Sequence, residues 1–250
     1  YASCVECHRA DQAAPFPLLS YEDARKRART IARVTTRGSM PPWHPVEGHG
    51  ELRDARELTE AQRNLLARWA AAGAPQGDPA LAPTPPEFAA GWTLGEPDLV
   101  VRMPAPFTVP ADGPDIYRNF VLPLGIDADL ESRRWVRAIE VRPSARSVVH
   151  HVLFFHDTSG EARAADEADP LPGFSGMGVR GTGALGGWAV GAGPYELPEG
   201  LAMNLPGGAD LLLQTHFHPS GKEEAEATEV GLWFAESAPE RPLVSLLFPP

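Results

Sequence analysis

Cysteine is almost absent from this chain, with two in 250 residues, both within the first seven. A zinc site built on that pair finds no further cysteine to complete it. Methionine is nearly as scarce, at four. No signal peptide is evident, and no apolar run is long enough to span a bilayer. Basic charge is also short: 22 Lys+Arg stand against 33 Asp+Glu, a net of −11, which argues against nucleic acid as a partner. The 27 prolines and 24 glycines favour loops and strands over a helical bundle.

What the chain does have begins at Cys4-Val5-Glu6-Cys7-His8. Cys-X-X-Cys-His is the attachment signature of c-type haem. Two thiols about one helical turn apart reach two vinyl groups on one porphyrin edge, and the next histidine sits under the iron as proximal ligand. With both cysteines used in this way no disulfide is expected. Covalent attachment of this kind normally happens outside the cytoplasm, so a periplasmic or secreted protein is expected. The chain opens at Tyr1 without Met, which reads as a trimmed or partial product. Met40 is the expected distal ligand, in Gly38-Ser39-Met40-Pro41-Pro42-Trp43, where two prolines fix the backbone just after the sulfur. His44 and His49 are the rivals, and would make a bis-histidine site.

Charge and composition divide the chain. Residues 1–72 carry 11 Lys+Arg against 9 Asp+Glu, leaving 11 against 24 for residues 73–250. A helix near Ser3 should carry the haem motif. A second, from about Ser20 to Arg37, starts with Ser20 and Asp23 as a capping box. It carries Arg25, Lys26, Arg27, Arg29, Arg33 and Arg37, either a solvated face or a docking patch for haem propionates or an acidic electron donor. A third fits Thr59 to Ala72, with Leu65, Leu66 and Trp69 as its apolar stripe and Gly73 as its stop. Six prolines between Pro75 and Pro97 make a semi-stiff spacer. The expected organisation is a small all-α haem domain over 1–80, a Pro-rich linker over 81–98, and an all-β antiparallel sandwich or jelly roll over 99–250. Strand-like runs at 116–124, 135–141, 147–156, 210–218, 229–235 and 243–248 support the last. No helix is signalled there, and 157–193 reads as a long loop. Two Gly-X-Gly-X-X-Gly matches, from Gly176 and from Gly181, neither follow a strand nor open a helix, and carry no nucleotide expectation.

Five of the eight histidines fall in the second domain: His150, His151, His156, His216 and His218. Imidazoles in runs this apolar need partners, and one metal satisfies several at once. Adjacent residues on a regular strand face opposite ways, so His150 and His151 can share a metal only at a bulge or strand end. His216 and His218 share a face, and either can be the third ligand.

The first 80 residues or so resemble small monohaem cytochromes c. From about residue 95 onward, Val148-Val-His150-His151-Val-Leu and Asn204-Leu-Pro-Gly-Gly-Ala-Asp-Leu-Leu-Leu-Gln-Thr-His216 resemble the ascorbate-dependent type II copper monooxygenases that hydroxylate peptidylglycine and dopamine. That resemblance implies copper on His150, His151 and His216, and a protein that passes electrons toward a second copper where oxygen and substrate meet. In the family the second copper is held by a His-X-His and a Met in a further jelly-roll domain. Here His216-Phe217-His218 lies in the strand matching the first copper, Met203 and Met177 suit core and loop, and the family's usual disulfides are missing. The second copper domain is therefore expected downstream as a partner, with an electron-donor protein or small reductant feeding the haem. The alternatives are a non-enzymatic haem carrier or sensor with a β-sandwich for binding, and a three-histidine zinc hydrolase.

Overall fold

The computed structural model describes every residue except 11, 44, 46–54, 89–90, 130–132, 179–180 and 244–250. His44 and His49, the alternative haem ligands, lie outside the described residues. The chain separates into two compact units, Tyr1–Phe88 and Ala89–Pro250.

The first unit holds two helices, α1 (Tyr21–Thr36) and α2 (Glu60–Ala71). Both begin at the expected caps. The Ser20 side chain accepts from the Asp23 N–H while Asp23 reaches back to the Ser20 N–H, and Thr59 with Gln62 repeats the arrangement. Past α2, Gly73 takes φ 86° and lets the Ala74 N–H turn back onto the Trp69 carbonyl at 2.9 Å. The Tyr21 hydroxyl donates to the Ala74 carbonyl at 2.9 Å, tying the start of α1 to the end of α2.

Two local expectations fail here. Residues 2–7 form turns and not a helix, because a stretch this short, followed by Pro15 and Pro17, cannot sustain one without extensive packing. Leu65 is not part of the packed stripe, being 59% exposed. The less exposed positions of α2 are Arg63, Leu66, Ala67 and Ala70, spaced i, i+3, i+4, i+7, joined by Trp69.

The second unit is mostly β-sheet with one helix among its described residues. Its strands are β1 (Leu99–Arg102), β2 (Phe107–Val109), β3 (Ile116–Pro123), β4 (Arg134–Arg142) and β5 (Val149–Asp157). The helix α3 (Glu161–Ala168) follows, then β6 (Phe174–Ser175), β7 (Gly183–Ala189), β8 (Tyr195–Glu196) and β9 (Leu201–Leu205). Last come β10 (Asp210–Phe217), β11 (Glu224–Glu226), β12 (Glu229–Phe234) and β13 (Arg241–Leu243). One sheet runs β1-β12-β4-β9-β13 with β8 paired to β4, another runs β6-β3-β10-β5-β7, and β2 pairs β11. The described pairings are antiparallel except β13 with β9. Side chains of both large sheets share one core, including Phe120, Leu122, Phe154, Leu211, Leu213 and Phe217 from one and Val136, Ile139, Val141, Leu205, Val230 and Leu232 from the other. Burial of apolar faces on this scale is the main force holding a sandwich together.

The span read as a long loop, 157–193, contains α3, β6 and β7. Glu161-Ala-Arg-Ala-Ala-Asp-Glu-Ala is rich in good helix formers yet nearly lacks large apolar residues, so periodicity gives no signal. Glycines hide β7. A Cβ on Gly183 would strike the His156 ring, and one on Gly187 would meet Leu153 at 3.0 Å. Glycine weakens a strand in general, but here it lets β7 lie close against β5. Residues 92–98, expected within the linker, belong to the sandwich. Thr93 donates twice to the Glu140 carboxylate, and the Trp92 ring meets Trp233 edge-on at 6.0 Å.

Gly183→Ala should therefore destabilise the protein by about 1–3 kcal/mol through overpacking against His156. Urea unfolding followed by tryptophan fluorescence reads this out, and an unchanged midpoint would show that the close approach of β7 is not required.

Candidate metal centre

Strand β10 lies at the centre of its sheet, between β3 and β5. Its period of two sends Leu211, Leu213 and Phe217 into the main core, all at 0% exposure. Leu212 faces the other way and packs with Val121, Phe155, Ala162 and Phe174 in a smaller cluster under α3. Gln214 and His216 continue that outer face. Pairing places Tyr117 of β3 on one side of His216 and His151 of β5 on the other.

The β10–β5 ladder then slips. His216 pairs with His151, but Phe217 pairs with Val149, so His150 is an extra residue in β5. A regular strand would alternate from Val149 to Val152. Here both valines are buried, at 1% and 0% exposure, while His150 is exposed and His151 half-buried between them. The bulge puts two consecutive imidazoles on the same side of the sheet as His216.

The three rings meet through Nδ1. His150 Nδ1 and His151 Nδ1 are 3.1 Å apart, and His216 Nδ1 and His151 Nδ1 are 3.4 Å apart. The three donor nitrogens all lie within 4.8 Å of one another. Two nitrogens bound to one metal at about 2.0–2.1 Å stand roughly 2.9–3.6 Å apart for bond angles of about 90–120°. Spacings of 3.1 and 3.4 Å are within reach of a single ion, and without one a neutral ring can donate Nδ1–H to its neighbour's Nδ1. Burial, followed by the neighbouring His216 and His150, holds the His151 pKa below the usual histidine value, which keeps it neutral and able to donate electrons.

The other two histidines of this unit stand apart from the cluster. His156 hydrogen-bonds the Thr182 hydroxyl through Nδ1 at 3.1 Å, and burial lowers its pKa. His218 is 70% exposed and donates from Nδ1 to Asp115 Oδ1 at 2.7 Å. Of His216 and His218, it is His216 that lies with His150 and His151, and its Nε2–H donates to Asp115 Oδ2 at 2.9 Å. Those bonds, His218 first and His216 second, hold the Asp115 carboxyl below its usual range. Neither Asp115 nor Tyr117 was legible as part of the site, because both lie about a hundred residues before His216 with no local motif. Met203 is buried in the core and Met177 is 73% exposed, in line with core and loop roles.

A scan of protein-family models and a search of curated proteins return no match for this chain.

In the first unit, Cys4 and Cys7 are half-buried free thiols whose pKa values are raised chiefly by burial. The His8 N–H donates to the Cys4 carbonyl at 2.9 Å, a single helical turn across the motif. Its ring Nδ1 is 3.0 Å from the Phe16 carbonyl. A carbonyl only accepts, so Nδ1 carries the proton and Nε2 is left with the lone pair. That is the tautomer a haem-ligating histidine needs, with the ring oriented by an outer partner. Met40 is 41% exposed and follows α1, its N–H donating to the Val34 carbonyl at 3.3 Å.

His151→Ala and His216→Ala should each weaken binding of an added divalent ion, Cu(II) or Zn(II), by more than the roughly 10–100-fold that loss of an outer partner costs. His156→Ala should leave it unchanged. Competition with a chromophoric chelator measures all three. In the metal-free chain, unfolding lets His151 and His156 take up protons that the folded state resists. Stability should therefore fall as pH drops below about 6.5, the unfolded imidazole value, and level off below the folded values. Urea titrations between pH 8 and 5 check the sign.

Proposed function

We propose that this chain is a two-centre redox protein, with a c-type haem on Cys4, Cys7, His8 and Met40 and a copper ion on His150, His151 and His216. It would serve as the electron-handling part of a copper-dependent monooxygenase that hydroxylates C–H bonds. The observation that carries this reading is the convergence of three imidazole Nδ1 atoms at one bulged strand end. When bound, the two groups supply one-electron chemistry, Fe(II)/Fe(III) at the front of the chain and Cu(I)/Cu(II) behind it.

The residues suit those roles. His8 is held by Phe16 in the tautomer that ligates through Nε2. Three neutral nitrogens tolerate both Cu(I) and Cu(II) without large rearrangement. His150 is exposed and His216 buried, so the centre is fixed on the sheet side and open on the other. An electron-donor protein or small reductant would feed the haem, and a second copper domain would receive the electrons. Covalent haem attachment at Cys-X-X-Cys-His would put the protein in the periplasm or outside the cell. Among the described residues no helix is long and apolar enough to cross a membrane.

The exposed side of the centre also favours a second reading. Three histidines with an open fourth position are the pattern of a catalytic zinc site, which would make the unit a hydrolase.

One experiment separates these. The chain is produced with the machinery for covalent haem attachment, loaded with Cu(II) or Zn(II), and followed by paramagnetic resonance and rapid-mixing absorbance. The redox reading expects a type II Cu(II) signal that His216→Ala removes, and that disappears faster when the haem is reduced first. Preference for Zn(II), or copper reduction indifferent to the haem, would overturn it.

A further inference from the structure

Asp115, just before β3, has both carboxylate oxygens occupied by histidines two residues apart on β10 and its extension: Oδ2 by His216 Nε2 at 2.9 Å, and Oδ1 by His218 Nδ1 at 2.7 Å. The side chains of Asp115 and His218 are 41% and 70% exposed, while that of His216 is 9% exposed. The His218–Asp115 bond is exposed and adds little stability, so the arrangement calls for a role other than holding the fold.

We infer that Asp115 is the positioning residue of the metal centre, acting through His216, and that His218 holds Asp115 in place. The inference rests on the reading of His150, His151 and His216 as ligands of one metal.

Neutral imidazole carries one proton, and either ring nitrogen can hold it. An ionised carboxylate only accepts, so the His216 proton stays on Nε2 and its lone pair on Nδ1. That Nδ1 is the atom 3.4 Å from His151 Nδ1. Tyr117 lies over the same ring, centroids 4.3 Å apart and planes within 9° of parallel, so carboxylate and tyrosine together fix its rotation. A flipped ring would lose the Asp115 bond and turn Nδ1 away from its neighbours. His218 is anchored separately, its N–H donating to the Val148 carbonyl at 2.8 Å. Its ring saturates the oxygen of Asp115 that His216 does not use, which stops the carboxylate from rotating off Nε2. Strand periodicity thus gives His216 and His218 one face but different tasks.

The test needs no turnover. In the metal-free full-length chain, 15N-edited NMR of the imidazoles should show His216 as the Nε2–H tautomer. In Asp115→Ala that ring should become a mixture. Its Cu(II) affinity should fall roughly 10–100-fold, with a changed copper hyperfine coupling and an unchanged melting temperature. Asp115→Asn keeps an acceptor oxygen and should recover part of the affinity, and His218→Ala should lose less than Asp115→Ala. An unchanged His216 tautomer in Asp115→Ala, or an unchanged Cu(II) dissociation constant, overturns the inference. If Asp115→Ala melts early, the same two readings on Asp115→Asn and His218→Ala decide it. A wild-type chain that binds neither Cu(II) nor Zn(II) sinks the metal reading itself, while the metal-free tautomer still decides what Asp115 does.

Discussion

One slipped hydrogen-bond register governs the rest of this structure. Because Phe217 pairs with Val149 while His216 pairs with His151, β5 gains a residue and two neighbouring imidazoles leave the sheet on one side. Without the slip, His150 or His151 would point into the apolar core, at the cost of an imidazole buried without a partner. The valines on either side hold the slip in place. Val149 and Val152 are both inside, and moving the register by one residue would expose one of them and bury a histidine.

That local geometry is precise because what lies beneath it is rigid. The inward side chains of β10 are fully buried between two sheets, and close-packed cores resist small displacements. The outer face is braced at the far end of the same strand. There α3 covers Leu212. On β3, opposite Thr215, the buried Arg118 guanidinium ties the loop that follows α3 to the sheet, bonding the carbonyls of Leu171, Pro172 and Gly173 together with Asp169 and Ser175. One half of the outer face is thus closed by helix and loop, and the other half carries the imidazoles. The glycines of β7 serve the same end, letting an edge strand lie close to β5 where a side chain would push it off.

Electrostatics complete the centre. Burial and neighbouring rings discourage a proton on His151, while Asp115 draws one onto Nε2 of His216. The front unit uses the same device with different atoms, a backbone carbonyl at Phe16 orienting His8. In His8 and His216 alike, one ring nitrogen faces an acceptor and the other keeps its lone pair.

Much of this was legible in the residues alone. Ser20, Thr59 and Gly73 mark helix ends through local hydrogen bonds and a φ that only glycine adopts easily, so α1 and α2 appear within a residue of their expected bounds. Alternating and continuous apolar runs located the long strands β3, β4, β5, β10 and β12, the run at 243–248 lies almost wholly outside the described residues, and the histidine pairs flagged the site. Other features depend on partners far along the chain. The helix in 161–168 lacks an apolar stripe, β7 is written in glycine, and Leu65 looks inward only until α1 is placed beside α2. Asp115 and Tyr117 meet His216 across about a hundred residues of chain. Local patterns follow from the backbone's own hydrogen bonding and sterics, so residues close together in the chain are enough to set them. Which nitrogen faces which neighbour depends on strand register across the sheet, and that register exists only once distant strands have paired.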